Sequence, residues 1–306
     1  MEVKITHELD GKTVKEYLNQ NGFSRGFITR LKKLDDGITV NGEHATVRRV
    51  LRMGDMLRLL TDDRSEDENE FLMPVRMPLD ILYEDDGMIA INKPSDMATH
   101  PSIGHFEDTL ANGLAYYFAS RSTPFVFRAV NRLDRDTSGV VLVAKNRLTA
   151  AKLGTLMKKG CIRKSYIAVL NGRLNPEAGT VSVPIRRREA SVILREACSV
   201  NDVGAKAALT EYRTLAANEK ASVVSAEPIT GRTHQLRVHF AHMGAPIVGD
   251  AFYGSAESLP TDYEKMMTRQ ALHAARLEII MDGKSVVIDA PLPCDMTRLC
   301  NEIQGE

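Results

Sequence analysis

The apolar positions of the first sixty residues follow first a helical and then a strand-like spacing. Apolar side chains recur with helical spacing at 14–18 and again in a segment that runs from 25 to 34. An apolar stretch at 38–40 then leads into Asn41-Gly42, a dipeptide typical of a tight hairpin turn. Residues 11–60 are therefore predicted to form a small α+β domain.

From residue 79 onward, strand-like and helix-like patterns alternate along the chain without an internal repeat. Strands are predicted at 81–83, 88–91, 125–130, 140–144, 162–170, 210–215, 222–226, 272–280 and 286–288, and a hairpin at 184–200. Helices are predicted at 109–120 and 147–158, and a third opens at 230–235 and ends before Gly244. Short turns join several neighbouring strands, which favours a mixed, largely antiparallel sheet over a doubly wound parallel one. We therefore expect an α+β domain over residues 75–306.

Charge is distributed unevenly along the chain, although the formal net charge is zero. Residues 11–60 contain ten Lys and Arg against five Asp and Glu, whereas residues 61–70 contain six acidic residues and one Arg. The segment 61–74 is polar and without periodicity, so it is predicted to be an acidic flexible linker. A basic module followed by an acidic tether can still bind nucleic acid, although the net charge of the chain is zero.

The composition is typical of a soluble globular protein, with 43% apolar residues in a chain of 306. No apolar run reaches the length of a membrane span, and residues 1–10 lack the layout of a signal peptide. Cys161, Cys198, Cys294 and Cys300 are scattered without paired spacing, which indicates reduced thiols rather than disulfides or a zinc site. We expect a cytoplasmic protein, acting as a monomer and away from the membrane.

The segment 131–139 combines two basic residues, two carboxylates, two hydroxyls and a glycine between two apolar runs. Buried strands that lead into a short polar turn can hold reactive groups rigidly while the turn stays accessible. The alternative is an ordinary polar turn, because Asp, Thr, Ser and Gly are common turn formers. Composition alone does not separate the two interpretations.

Two metal-dependent alternatives arise from the residue pattern, and both fit poorly. His234, His239 and His242 could suggest zinc, but a helix places the first pair on different sides and no Cys or carboxylate stands at ligand spacing. Asp134 and Asp136 have the spacing of the paired aspartates in haloacid-dehalogenase-type magnesium phosphatases. That family also needs a later aspartate pair for the metal, and this chain lacks one. We expect no metal.

Several separate segments together resemble the RluA-type pseudouridine synthases. They are NKP at 92–94 with HPS at 100–102, RLDRDTSG at 132–139, KSYIAV at 164–169, TGRTHQLRVHFAHMGAPIVGDAFYG at 230–254, QALHA at 270–274 and APLP at 290–293. The resemblance covers nearly all of residues 75–306, and the segments are highly specific in combination. It implies the pseudouridine synthase fold, a mixed and largely antiparallel sheet with flanking helices.

The resemblance also implies a reaction. Pseudouridylation breaks the bond between ribose and a uracil ring nitrogen, turns the base, and rejoins it through a ring carbon without a redox change, group donor or metal. A carboxylate near that bond either attacks covalently or takes a ribose proton, and both mechanisms stay open. By resemblance Asp134 is this carboxylate, and Arg232 is the cation that favours its ionised form.

Further roles follow from the same resemblance. Tyr166 is expected to stack on the target base with its hydroxyl near the sugar, and Leu236 to pack beneath the pocket. Arg132 is expected to fill the helical space that the flipped nucleotide leaves, because unstacking a base costs a few kcal/mol.

Three more residues, Lys93, Thr137 and Ser138, are expected to contact the substrate. The chain departs from the family pattern at two positions, since the family usually has His where this chain has Asn131, and often Gly where it has Asp96. Asn131 could alter how the loop meets RNA.

The N-terminal segment resembles the S-four-like RNA-binding domain, which often precedes the catalytic domain in this family. The resemblance lies in Ser24-Arg25, the basic segment 30–33, the turn at 40–42 and Gly54-Asp55. The residues expected to bind RNA phosphates are Arg25, Arg30, Lys32, Lys33, Arg48, Arg49 and Arg52. The alternative is a basic face that only contacts solvent.

The sequence thus predicts an enzyme that isomerises specific uridines in RNA to pseudouridine with an aspartate and no cofactor. Ribosomal RNA is the expected substrate, and transfer RNA is possible. The competing hypotheses are a non-catalytic RNA-binding protein on the same scaffold and the magnesium-dependent phosphatase.

Overall fold

The computed structural model of the chain describes residues 1–21, 23, 25–60, 72–254, 262–281 and 284–305. The side chains of Arg25, Gly26 and Arg30 are not among the described parts. Most of the predicted linker, residues 61–71, and Ser24 also lie outside the described residues, so the linker hypothesis stays a prediction.

The N-terminal part of the chain forms a four-stranded antiparallel sheet with two helices. The elements are β1 (Glu2–Lys4), α1 (Val14–Gln20), α2 (Arg25–Leu31), β2 (Ile38–Val40), β3 (Glu43–His44) and β4 (Met56–Leu59). The strand order is β1-β4-β2-β3, and both helices and the hairpin at Asn41-Gly42 confirm the predicted pattern. Strand β1 precedes residue 11, so this sheet begins earlier in the chain than the predicted boundary. Its apolar cluster also includes Ala151 from the larger part of the chain.

The larger part of the chain is built on a nine-stranded mixed sheet. Its elements are β5 (Ile81–Glu84), β6 (Met88–Lys93), α3 (Leu110–Ala119), β7 (Ser138–Ala144), α4 (Arg147–Lys158), β8 (Ile162–Asn171), β9 (Ala178–Val181), β10 (Ile185–Arg187), β11 (Arg195–Ala197), β12 (Thr210–Ala217), β13 (Ala221–Pro228), α5 (Gln235–His242), α6 (Asp262–Lys265), β14 (Leu272–Met281), β15 (Lys284–Asp289) and α7 (Cys294–Gln304). The order is β5-β6-β7-β14-β8-β13-β12-β9, with β15 beside β14, while β10 and β11 form a separate hairpin. Among the described pairs β7–β14 alone is parallel, which confirms the predicted mixed, largely antiparallel sheet.

The sheet is covered on both faces because neighbouring side chains of a strand point to opposite sides. In β6, Ile89 and Ile91 belong to the core that includes α3 and α7, whereas Met88 and Ala90 belong to the core under α4. All seven residues of β7 are buried. Helix α5 lies on the α3 and α7 side through Leu236 and Phe240. Within the described residues, every helix is too short or too polar to span a bilayer.

The predicted strand at 125–130 is wrong in most of its length. Only Ala129 makes a β-bridge, to Val143. Before it, the chain is held by ring packing instead of a ladder, because Phe125 stacks on Phe118 with centroids 4.2 Å apart. Sequence alternation alone could not show that these aromatic side chains pack into the α3 core, or that pairing with β7 is confined to the end of the segment, where Arg128 and Val130 bond to it.

Gly139 sets how closely the two parallel strands approach at the end of segment 131–139. Its φ is +113°, and a Cβ built there would lie 2.2 Å from the carbonyl oxygen of Ala274 in β14. Any other residue at this position would therefore have a strained backbone, and its Cβ would clash with the backbone of β14.

We expect Gly139→Ala to lower the free energy of unfolding by about 2–5 kcal/mol, from strain and overpacking together. The matched control is Gly154→Ala in α4, where a Cβ meets no atom within 4 Å. That substitution should raise stability by about 0.5–1 kcal/mol, since Ala suits a helix interior better than Gly. Urea unfolding of both variants measures the difference, and equal midpoints would contradict the assignment.

Candidate active site

A cavity of about 690 Å³ opens where segment 131–139, strand β8 and the start of helix α5 meet. Its size lies within the range of small-ligand sites. The lining residues are Val130, Asn131, Arg132, Leu133, Asp134, Thr137, Met157, Lys158, Lys164, Tyr166, Pro228, Ile229, Thr230, Gly231, Arg232, Thr233, His234, Gln235, Leu236, Arg237 and Leu272. Three segments that are distant in sequence therefore form one pocket, as the resemblance implied.

Side-chain hydrogen bonds fix the start of segment 131–139 against β7, the strand into which the segment leads. The Asn131 amide donates to the carbonyl of Val140 and accepts from the amide of Leu142, so it substitutes for a missing backbone pair. The Thr99 hydroxyl donates to the carbonyl of Leu133 at 3.0 Å. Asn131 is 8% exposed, so its role in the structure is to anchor the segment. These bonds hold Asp134 at the pocket wall.

Asp134 contacts a buried ion pair formed by Arg237 and Asp250. Arg237 donates from Nε and Nη2 to the two oxygens of Asp250 at 2.6 and 2.7 Å, and from Nη1 to Oδ2 of Asp134 at 3.2 Å. The Asp250 side chain is 0% exposed, against 29% for Asp134. Burial alone would lower the pKa of Arg237, but Asp250 and Asp134 together raise it above its ordinary value. The guanidinium is therefore a permanent positive charge beside Asp134.

The resemblance assigned this role to Arg232, and the structure corrects that assignment. Arg232 is exposed at the pocket rim, and its Nε donates to the carbonyl of Ala207 at 2.9 Å. Both arginines lie in one sequence segment, and which one reaches Asp134 depends on where the helix begins. Because α5 starts at Gln235, Arg237 projects from its first turn towards the interior. One signal was available in the sequence: an arginine among the apolar residues Leu236, Val238 and Phe240 must find a buried partner.

Tyr166 and Leu236 occupy the apolar side of the pocket, where the resemblance placed them. Tyr166 is 8% exposed and Leu236 5% exposed, and both belong to the main core. Burial, and to a lesser extent the charge of Asp134, raises the pKa of the Tyr166 hydroxyl. The phenol thus stays protonated at neutral pH and can donate a hydrogen bond, but it is a poor base.

Two further predicted residues line the pocket as expected. Arg132 is exposed at the rim, where it can reach an RNA strand. Thr137 is buried, and its hydroxyl accepts a bond from Nε2 of Gln270 at 3.1 Å. Its backbone N–H donates to the carbonyl of Asp134. Thr137 therefore supports the turn as well as lining the pocket.

Lys93 and Ser138 were expected to contact substrate, but neither lines the cavity. Lys93 is 0% exposed, and its Nζ donates to the carbonyls of Pro94, Met97 and Arg135. Burial lowers the pKa of Lys93 to about 7, while Asp136 and Asp134 oppose the change. Three acceptors match the three protons of an ammonium group. Lys93 thus ties segment 131–139 to the end of β6.

Ser138 is likewise a structural residue, because its buried hydroxyl bonds to Nδ1 of His273 on β14 at 2.9 Å. The predictions for Lys93 and Ser138 failed for a common reason. A polar residue in a sequence motif can serve the backbone around a site as readily as the ligand within it.

The histidines of the α5 segment have separate environments. His239 is fully buried, and its two ring nitrogens bond to the Thr210 hydroxyl and the Val183 carbonyl. His242 is exposed at the end of the helix, and His234 lines the pocket. Across the described part of the chain, no group of three or more His, Cys, Asp or Glu side chains could hold a metal ion.

Five of the residues predicted to bind RNA have described side chains, and all five are exposed: Lys32, Lys33, Arg48, Arg49 and Arg52. The side chains of Arg25 and Arg30 lie outside the described residues. A role of these residues in RNA binding stays a prediction.

Comparison with known proteins gives a consistent family. Residues 87–242 match the family described as RNA pseudouridylate synthase. An uncharacterised RNA pseudouridine synthase of Bacillus subtilis, YjbO, is 38% identical over 96% of this chain and 99% of its own. The ribosomal large subunit pseudouridine synthase D of Vibrio parahaemolyticus is 34% identical over 93% of this chain and 88% of its own. The solved human RNA pseudouridylate synthase domain containing 1 superposes with a TM-score of 0.57 at 32% identity, covering 71% of this chain and 84% of that one.

The chain therefore belongs to the RNA pseudouridine synthase family, a family of isomerases, of the RluA type. Its large mixed sheet is the pseudouridine synthase fold. This membership removes the phosphatase hypothesis.

The two arginines can be separated by experiment. We expect Arg237→Lys to lower kcat by about a hundredfold, because a lysine cannot hold Asp250 by two bonds and reach Asp134 at the same time. The matched change, Arg232→Lys, should leave kcat nearly unchanged and act mainly on KM, since Arg232 is exposed at the rim. Steady-state kinetics on one RNA substrate gives both constants. A loss of kcat in Arg232→Lys alone would reverse the assignment.

Proposed function

We propose that this chain converts uridines of ribosomal RNA to pseudouridine, with Asp134 as the reacting carboxylate and no cofactor. The observation that carries the proposal is the environment of Asp134. One oxygen, Oδ2, accepts from the buried Arg237, and the carboxylate keeps 29% exposure towards the pocket. An ionised carboxylate with a fixed cation behind it is suited either to attack a sugar carbon or to take a ribose proton.

The pocket supplies the other groups that the reaction needs. The Tyr166 ring, with Leu236 beside it, offers an apolar surface on which a flipped uracil can stack. The protonated Tyr166 hydroxyl can donate to the substrate. Arg132 at the rim can occupy the gap left in the RNA helix. All of these groups come from one chain, which supports a monomer as the active form.

The choice of ribosomal RNA rests on relatives. Several, including those of Xanthomonas campestris and Vibrio parahaemolyticus, are named ribosomal large subunit pseudouridine synthase D. The four cysteines are free thiols, which suits work in a reducing compartment such as the cytoplasm. Comparing pseudouridine maps of RNA from cells with and without the gene identifies which RNA is modified.

We expect Asp134→Asn to abolish conversion while the Kd for RNA changes by no more than about threefold, because affinity comes from spread phosphate contacts. Tritium release from RNA labelled at the uracil carbon that forms the new bond measures turnover. The matched control is Asp136→Asn, a neighbouring carboxylate that does not line the pocket and that pairs with Arg135. It should retain most activity. Turnover by purified Asp134→Asn would remove Asp134 from the mechanism, and an inactive parent protein would favour a non-catalytic RNA-binding protein.

The N-terminal sheet is proposed to act as an S-four-like RNA-binding module. Support comes from two helices followed by a hairpin, and from the exposed cations Lys32, Lys33, Arg48 and Arg49. A second binding module raises the effective concentration of the pocket on a structured RNA. It need not take part in the chemistry, because Asp134, Tyr166 and Arg237 all belong to the catalytic part.

Substitution within the full chain tests the module better than deletion, because Ala151 packs in its apolar cluster. We expect Lys32→Gln with Lys33→Gln to raise KM for a long structured RNA and to flatten the salt dependence of binding, by a slope of about 0.7–0.9 per lost phosphate contact. Turnover at saturation should not change. Lys284→Gln with Arg298→Gln, two exposed cations of the catalytic part, is the matched control. An equal effect of both pairs would mean that net charge alone matters.

A further inference from the structure

His234 is held in an unusual backbone conformation at the wall of the pocket. Its φ of +57° and ψ of +22° lie in the left-handed region, immediately before α5. Few non-glycine residues adopt this conformation, although Asn, Asp and His do so more often than others, and such strain gathers at functional sites. The ring is 9% exposed, and its Nε2 lies 3.8 Å from Oδ2 of Asp134.

The other ring nitrogen identifies the tautomer. Nδ1 of His234 lies 2.7 Å from the hydroxyl oxygen of Tyr253, and this oxygen also accepts the backbone N–H of Arg195 at 2.9 Å. The tyrosine has one proton to donate, and Nδ1 is the acceptor within reach. The ring proton of neutral His234 is then on Nε2, where it faces the carboxylate. The opposite tautomer would point a lone pair at the negative charge of Asp134.

The surroundings also favour the neutral ring. Burial lowers the pKa of His234 most, and the nearby charges of Arg237 and Arg195 lower it further. The charges of Asp134 and Asp250 act in the opposite direction. At neutral pH the ring is thus an uncharged donor rather than a second cation beside Arg237.

We propose that His234 is a positioning residue for Asp134, whose Nε2–H joins Arg237 in binding Oδ2 and so leaves Oδ1 to face the sugar–base bond. Among the contacts of the described residues, Oδ1 of Asp134 has none. The separation of 3.8 Å shortens to a hydrogen bond when substrate fills the pocket, as catalytic contacts often tighten in the complex. This inference rests on the proposed function and assigns separate tasks to the two carboxylate oxygens.

The first test is His234→Asn. Asparagine tolerates the left-handed conformation, so the start of α5 is kept, but its amide is too short to reach Asp134. We expect kcat to fall about tenfold to a hundredfold while KM and the Kd for RNA change little. The matched control is His242→Asn on the exposed end of the same helix, which should keep the parental kcat. A parental kcat in His234→Asn would overturn the proposal.

The second test determines directly which ring nitrogen of His234 carries the proton. Nitrogen-15 NMR of the histidine rings should show the proton of His234 on Nε2 in the parent protein. Tyr253→Phe removes a hydrogen bond that favours the neutral ring, so the pKa of His234 should rise and both tautomers should become populated. The neutral tautomer with its proton on Nδ1 points a lone pair at Asp134, so kcat at neutral pH should fall in this variant. An Nδ1 proton in the parent protein, or a parental kcat in Tyr253→Phe, would overturn the proposal.

The two tests also separate this inference from the function on which it rests. If the parent protein converts no RNA, the proposed function fails, and the proton on Nε2 alone decides the histidine assignment. If His234→Asn does not fold, the tautomer populations and the kcat of Tyr253→Phe decide it.

Discussion

The site depends on one buried ion pair, that of Arg237 and Asp250. Removing two charges from water is expensive, and such a pair is stable only when every polar atom has a partner. Asp250 meets this condition, since it also accepts the backbone N–H groups of Phe252 and Tyr253. The pair therefore fixes the first turn of α5, the loop after Asp250 and the position of Asp134 together. Breaking it from either side would leave a buried charge, at a cost of about 3–5 kcal/mol.

Segment 131–139, which contains Asp134, is in turn held by residues that lie far from it in sequence. Nζ of Lys93 donates to the carbonyl of Arg135. Arg269 donates to the carbonyl of Asp136 and also forms an ion pair with Asp295 through two hydrogen bonds. Gln270 binds the Thr137 hydroxyl. The ties come from two distant parts of the chain, Lys93 on one side and Arg269 with Gln270 on the other, so the segment is rigid only in the complete fold. Rigid support of this kind is what keeps a reacting group within a fraction of an ångström of its required place.

The sequence predicted the secondary-structure elements more accurately than the side-chain contacts of the site. Periodicity located α1 to α5 and most strands, because it reflects which face of each element is buried. Helices α6 and α7 and strand β9 were not predicted. Periodicity failed at 125–130, where aromatic packing replaces a ladder, and it missed β1, which is too short to show a period. Motifs located the segments of the site, but they could not tell Arg232 from Arg237. Which arginine reaches Asp134 depends on the residue at which α5 begins. The left-handed backbone of His234 sets that start, and residue type alone does not reveal it.

The distribution of charge explains how the pocket can admit a base and exclude a phosphate. Asp134 and Arg237 line its floor, the fully buried Asp250 lies behind Arg237, and Tyr166 and His234 are neutral beside them. These three charges sum to one negative charge. The cations Arg132, Lys158, Lys164 and Arg232 line the rest of the cavity, three of them exposed. We therefore expect phosphates to be attracted to the rim and repelled from the floor, so that an uncharged base rather than a phosphate can reach Asp134.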